Sequence, residues 1–355
     1  MRTLRDSILI FLTFTLITDR ATKALSIGRS NTPMSMSTAA SSPSGEKQEC
    51  VAVIGTTGRL GREAVMKLSS RGIQTKCLLR HAVGGAAPPS TIKDAKSSKE
   101  VAAYLSNLPG VTMVKGDVTN VESLKELLKG CTSCLALYGA SRRSKLSDLL
   151  PWSSPESESD HAKAVNYEGV KNILEAARLS KTCRRIVRVT GKGEAPWSIF
   201  SILINTLGSM AKAWNYEGEQ LLRNSNDVDY TIVRPGIMGP ECSDGKVLAL
   251  ADNGGDLKVT PVRHSDIADL CVSCLDYPNA ARTTLTAMNV DVGDGEETYA
   301  PLLAKVQPDS RVFPSSLMDE NRKAVRVGIV ILFTFFAAGT GAVLSAINLV
   351  VSKIF

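Results

Sequence analysis

The sequence predicts an α/β fold: a doubly wound, mainly parallel sheet in a single domain, plus a C-terminal transmembrane helix. Three observations predict it. An apolar strand pattern, Val51–Gly55, runs straight into the turn GTTGRLG and then into a helix pattern. Five further short apolar runs recur at the spacing of strand–helix units, the signature of a sheet covered on both faces. An uncharged apolar run, long enough to cross a bilayer, lies near the end of the chain.

The elements follow in chain order. Residues 1–24 have a basic start, the apolar run Ser7–Thr18 and small residues ending at Ala24, which is signal-peptide grammar. Residues 25–48 are rich in serine and read as a transit-like, disordered segment. Together they resemble the bipartite leader of algae whose plastids came from a secondary endosymbiont. The expected location is a plastid membrane with the domain facing the stroma; a mitochondrial or an endomembrane location is the alternative.

Residues 49–300 read as the nucleotide-binding domain. After Val51–Gly55, the residues Leu60, Ala64, Val65 and Leu68 mark one face of a helix. Strands are expected at Thr75–Leu79, Val111–Val114, Leu135–Tyr138, Arg185–Thr190 and Tyr230–Val233, with helices between them. Residues 81–99, with Gly84-Gly85 and Pro88-Pro89, read as a surface insertion, and 139–160 as a longer loop near the site. Residues 301–324 read as a linker and 325–351 as the transmembrane helix. Arg322, Lys323 and Arg326 precede its uncharged stretch and Lys353 follows it, a bias that puts the domain on the cytosol-like side. Small residues at four-residue spacing in this helix, Ala337, Gly341 and Ser345, suit either a plain anchor or docking to a membrane protein complex.

Charge argues against nucleic acid as a partner. The net charge is +7, but residues 51–320 carry 32 basic against 31 acidic side chains, so the excess sits at the two ends. The eight cysteines include two pairs at CxxC spacing, Cys131/Cys134 and Cys271/Cys274, in apolar segments and without histidine at ligand spacing. No metal is expected. The pairs read as buried side chains, with a redox switch as the sharper alternative.

The glycine turn carries the binding chemistry. Gly55 permits the tight turn, Gly58 lets the backbone approach a pyrophosphate, and Gly61 lets helix and strand pack closely. The helix N-terminus, with Thr57, Arg59 and Leu60 around it, offers free N–H groups and a positive dipole end. The second strand ends on Arg80 where a free 2′-hydroxyl would call for an acid. A guanidinium forks onto a 2′-phosphate, and Arg59 could close the other side, so NADP(H) is favoured over NAD(H). Asp117, followed by Val118, could accept a hydrogen bond from an adenine amino group, or serve as a loop or helix cap.

With GTTGRLG, GDVTN, NYEGVKNILEAA, DYTIVRPG and HSDIADL in this order, residues 50–290 resemble the atypical short-chain dehydrogenase/reductases, in the NAD(P)H-binding branch related to NmrA-like proteins. The resemblance implies a Rossmann sheet, with Asn166 near the site, Thr190 at the end of strand five, and Arg234, Pro235 and Gly236 on the substrate side. It also exposes a departure. Catalytic members carry a tyrosine and a lysine where this chain has Ala211 and Asn215. Lys212 and Tyr216 are the nearest replacements and, with Thr190, the candidate catalytic residues. Without the usual pair, hydride transfer to a flavin or quinone is easier than carbonyl reduction, which needs a positioned acid. The apolar run Ile199–Leu207 could cover a lipophilic substrate, touch a membrane or be an ordinary buried helix. Two functions stay open: a membrane-anchored NADPH-dependent oxidoreductase for a lipophilic acceptor, or a non-catalytic NADP(H)-binding assembly or regulatory factor for a membrane (photosynthetic) complex.

Overall fold

Strand β1 (Cys50–Ile54) shows why the sheet has two covered faces. Val51 and Val53 enter one core cluster, while Ala52 and Ile54 enter the other, and Val51 to Ile54 are at most 2% exposed. Alternate side chains of a strand point to opposite faces, so a strand buried on both must be apolar throughout. The computed structural model describes residues 49–331 and 334, apart from 82–86, 150–153, 240–245 and 297. The expected leader, 1–48, and most of the expected membrane span, 325–351, lie outside these residues. Among the described residues, no helix is long and apolar enough to cross a membrane.

The chain continues as α1 (Arg59–Ser70), β2 (Gln74–Leu79), α2 (Ser98–Ser106), β3 (Val111–Lys115), α3 (Val121–Leu128) and β4 (Ser133–Ala136). A π-helical turn, Lys163–Glu168, opens α4 (Gly169–Ser180), followed by β5 (Arg185–Val189), α5 (Ile199–Leu207), α6 (Ala211–Arg223) and β6 (Asp229–Pro235). Then come β7 (Ile237–Gly239), β8 (Lys246–Ala251), β9 (Pro261–Arg263), α7 (His264–Ser273), β10 (Thr283–Asp291), α8 (Tyr299–Lys305) and α9 (318–331).

The main sheet has the order β3-β2-β1-β4-β5-β6-β10-β8, parallel throughout except for β8, which runs antiparallel to β10. A small parallel pair, β7 with β9, stands apart. Apolar residues of α1, α2 and α7 pack on one face and those of α3, α4 and α6 on the other. The strand order turns around between β1 and β4, and in such sheets the crevice for a ligand opens there, beyond the carboxyl ends.

Three sequence expectations change. The fourth strand ends at Ala136, two residues earlier than expected, and Leu137 and Tyr138 become a wall of the crevice. The sheet gains β8 and β10: β8 follows the apolar run VLALA, which is not among the expected strands, and in β10 the fully buried Thr283, Thr284 and Thr286 break up the apolar pattern. Residues 301–324, expected as a linker, are packed onto the domain. Leu303 and Val306 belong to the main core, Asp309 accepts hydrogen bonds from the Thr284 N–H and from the Tyr230 and Thr284 hydroxyls, and Ala324 is fully buried.

Candidate dinucleotide site

The turn between β1 and α1 is built by steric necessity. Gly55 has φ +89°, and a Cβ there would lie 2.3 Å from the Leu137 carbonyl oxygen. A Cβ on Gly61 would lie 2.1 Å from the Gly55 carbonyl oxygen, so helix and turn touch backbone to backbone. Gly58 is less constrained: it is exposed, its N–H donates to the Gly55 carbonyl at 3.0 Å, and a Cβ there would lie 3.1 Å from that same carbonyl oxygen. The first turn of α1 holds no acid, so its free amides and dipole present an uncompensated positive end.

That end opens into a crevice of about 630 Å³ at the sheet's switch point. Gly55, Thr57 and Gly58 form its floor, and Arg80 at the end of β2 lies at one side. Asp117 and Val118 follow β3, and Tyr138–Ala140 follow β4. The structure thus brings Gly55, Thr57, Gly58, Arg80, Asp117 and Val118 together. It does not bring Arg59, Leu60, Gly61 or Pro235 to the lining. Leu60 is buried in the core, Gly61 serves packing, and the charge of Arg59 acts on His264, helping burial to lower that imidazole's pKa. Asp117 Oδ1 accepts from the N–H and hydroxyl of Thr119, while Asn120, not Asp117, caps α3.

The cradle passes a simple test of fit. Gly55 and Gly61 leave no room for a side chain in the turn, and Arg80 brings a cation to the crevice at the end of β2. A nicotinamide dinucleotide suits this set of donors.

Asn166 ties the far wall in place. The π-helical turn aims its side chain so that Oδ1 accepts from the Ala140 N–H at 3.0 Å and Nδ2 donates to the Ala211 carbonyl at 3.3 Å. Arg188, on β5, was not singled out by the sequence, although a charge inside the apolar run RIVRV was a visible signal. It is 1% exposed, donates to the Tyr138 carbonyl at 2.7 Å and to Asn215 Oδ1 at 3.1 Å, and stacks 4.0 Å from the Tyr138 ring centre. Asn215, standing where the resemblance puts the catalytic lysine, is therefore a hydrogen-bond acceptor for a buried cation. The Tyr138 hydroxyl is buried without a partner among the described residues. Tyr138→Phe is accordingly expected to leave stability unchanged or raise it by about 1 kcal/mol, read by urea unfolding.

The three candidate catalytic residues lie outside the crevice lining, and each is engaged. Thr190 donates to Glu219 Oε1 at 2.6 Å. The Tyr216 hydroxyl donates to the Pro314 carbonyl at 2.7 Å, and burial pushes this phenol up to about 12. Lys212 donates to the Ser201 hydroxyl at 2.6 Å. Burial first, then the charges of Lys192 and Arg234, bring Lys212 down to about 8. Its protonated form is thus disfavoured by folding below that value and relieved above it. Lys212→Met is expected to raise the melting temperature at pH 7, with the difference shrinking as the pH approaches 10. Arg234, placed by resemblance on the substrate side, is instead fully buried between Glu219 and Glu194.

The profile of the NAD(P)H-binding family matches residues 55–278. Protein TIC 62, chloroplastic, of Pisum sativum is 24% identical over 188 residues, covering 53% of this chain and 32% of the pea protein. Its Arabidopsis thaliana counterpart is 24% identical over 196 residues, covering 54% and 28%. The chain thus spans about a third of the length of these curated relatives. A Bacillus halodurans structure of the NAD-dependent epimerase/dehydratase type superposes with a TM-score of 0.50 at 16% identity, covering 68% of this chain and 95% of that one, a likeness of fold. The family match runs from the turn at Gly55 to Pro278, more than half of the sequence, and the chain belongs to the NAD(P)H-binding family, whose ligand is a nicotinamide dinucleotide.

Proposed function

We propose that the protein is an NADP(H)-binding reductase held at a plastid membrane, where it passes hydride to a lipophilic acceptor without a tyrosine–lysine pair. One observation carries the reading: a complete dinucleotide cradle stands beside catalytic candidates that are all committed to structural hydrogen bonds. The cofactor, when bound, supplies the hydride. The residues supply the rest. The free amides in the first turn of α1 hold the diphosphate, Arg80 takes the 2′-phosphate, and Asp117 and Val118 flank the adenine. Asn166 and Arg188 fix the wall at Tyr138–Ala140 against which the reacting ring would lie. Thr190, Lys212 and Tyr216 are each engaged elsewhere and none is free to protonate an alkoxide, so acceptors such as quinones or flavins, which take their protons from water, suit the site.

The membrane part of the reading has its own support. Helix α5 turns Ile199, Phe200, Leu203 and Leu207 outward, with exposures of 85%, 55%, 39% and 59%. Helix α9 lies on α5: Asn205 donates to Asn321 at 2.8 Å, and Gly328 packs against Ile202. Its exposed Val327, Val330 and Ile331 extend the same apolar surface toward residues 332–350, which carry no charge. Such a helix face, next to an apolar tail, suits the interface of a bilayer. Replacing Ile199, Phe200 and Leu203 by serine is expected to weaken sedimentation with lipid vesicles while leaving dinucleotide binding intact. The plastid part rests on the leader composition and on the chloroplast relatives.

The test is NADPH oxidation across quinone, flavin and simple ketone acceptors. Turnover with a quinone or flavin, none with ketones, and full activity in Tyr216→Phe are expected. Loss of activity in Tyr216→Phe would contradict the reading. The second reading, a non-catalytic NADP(H)-binding assembly or regulatory factor for a membrane complex, is favoured by the same committed hydroxyls. It predicts binding without turnover on every acceptor.

A further inference from the structure

The cysteine pairing that the spacing suggests is not the one the fold makes. Cys131 is buried, and its near sulfur partner is Cys50 at the start of β1, with the two Sγ atoms 3.1 Å apart. The neighbouring backbone is already fixed: the Thr132 N–H donates to the Cys50 carbonyl at 2.8 Å, and Val51 stands in register with Ser133. Of the seven described cysteines, six are buried and Cys50 alone is partly exposed.

We propose that Cys50 and Cys131 form a redox-active dithiol that a small or protein disulfide converts to an intramolecular disulfide. The sulfurs need to close by only about 1 Å to reach bonding distance. Cys50 is the entry point because solvent reaches it. The hydrogen bond from Cys131, opposed by burial and aided by Lys76, brings Cys50 down to about 7, so its thiolate is well populated at neutral pH. Cys131 moves the opposite way, raised by its bond to Cys50 and then by burial, as befits the thiol that resolves rather than attacks. The Cys50 thiolate attacks one sulfur of the incoming disulfide and expels one thiolate. Cys131 then loses its proton, attacks Cys50 Sγ and expels the second. The two protein thiols lose two electrons and two protons, and the incoming disulfide becomes two thiols.

The position gives the bond a consequence. It would close a loop from residue 50 to residue 131 that contains β1, β2 and β3 with their helices, three of the eight strands and the part that carries the glycine turn, Arg80 and Asp117. A cross-link over so long a loop restricts the unfolded chain strongly. The pair sits at the opposite end of β1 from Gly55, so the crevice itself is not altered.

The experiment uses the full chain, reduced and then incubated with oxidised glutathione, with peptide mapping under non-reducing conditions. A Cys50–Cys131 linkage is expected, with a melting temperature about 5–10 °C above that of the reduced protein. Dinucleotide affinity should be unchanged. Cys131→Ser should stop at a glutathione adduct on Cys50, and Cys50→Ser should not react at Cys131; serine is close enough in size for both to fold, which circular dichroism checks. A stable glutathione adduct on Cys50 of the unsubstituted chain, a link from Cys50 to any other cysteine, or two thiols that stay free would each overturn the proposal.

Discussion

Replacing Glu219 by glutamine is expected to destabilise the domain by about 3–5 kcal/mol, the range for stripping one partner from a buried ion pair. The Glu219 carboxylate is fully buried and holds together three elements. It accepts from Arg234 on β6, from Arg223 one turn along α6 at 2.8 Å, and from the Thr190 hydroxyl at the end of β5 at 2.6 Å. Arg234 reaches on to Glu194, which also pairs with Arg311 from the segment after α8. Glutamine keeps the shape and removes the charge, leaving the fully buried Arg234 with Glu194 as its remaining carboxylate partner among the described residues. The double variant Glu219→Leu/Arg234→Met should be less damaging than Glu219→Gln, because both charges leave together. Denaturant unfolding of the three proteins checks the ordering.

The same cluster sets an acid limit. Burial alone would raise the Glu219 pKa, but Arg234 and then Arg223 outweigh it and hold the carboxyl below the usual range. A group with a depressed folded pKa contributes its stability above its unfolded value, near 4.3, and loses it as the pH falls through the folded one. Stability of the domain should therefore drop below about pH 4, and the Glu219→Gln protein should show a shallower drop over the same window.

The second large effect is at the glycine turn. Gly61→Ala would place a methyl 2.1 Å from the Gly55 carbonyl oxygen and 2.7 Å from its carbon, both backbone atoms. Neither can move aside without opening the turn. A loss of about 1–3 kcal/mol in stability is expected together with a loss of at least ~100-fold in dinucleotide affinity. Gly58→Asp separates the two consequences. Its Cβ would meet only the Gly55 carbonyl oxygen, at 3.1 Å, which asks for a shift of a few tenths of an ångström, but it sets a carboxylate beside the expected diphosphate position. Near-normal stability with affinity lowered by at least ~100-fold is expected for that variant, measured by calorimetric titration.

The fold was legible where one physical rule dominated. Strands buried on both faces are mostly apolar, so β1, β5 and β6 stand out as runs, the edge strand β3 shows a shorter one, and GTTGRLG announces its turn because only glycine tolerates the contacts at Gly55 and Gly61. The threonine-rich β10 carries no such run, and bonds such as that from the Thr283 hydroxyl to the Ala280 carbonyl let its polar side chains be buried; the edge strand β8 does carry one, VLALA, past the last strand expected. The cofactor residues that act through backbone shape were readable for the same reason. Side-chain roles decided by tertiary contact were not. Nothing local says that Tyr216 spends its hydroxyl on Pro314, nearly a hundred residues away, or that Arg188 reaches Asn215 across strand and helix. The thiol pair is the same lesson: Cys131 and Cys134 share a short motif, yet the partner of Cys131 is 81 residues distant.

If this crevice holds a nicotinamide dinucleotide and Arg80 reads its 2′-phosphate, titration of the purified protein with NADPH and NADH, repeated on Arg80→Ala, will show it. NADPH is expected to bind more tightly by about 10–100-fold, the worth of a charged fork on phosphate, and Arg80→Ala to remove this difference by weakening NADPH alone. Binding of neither coenzyme, or a preference that survives Arg80→Ala, would contradict it.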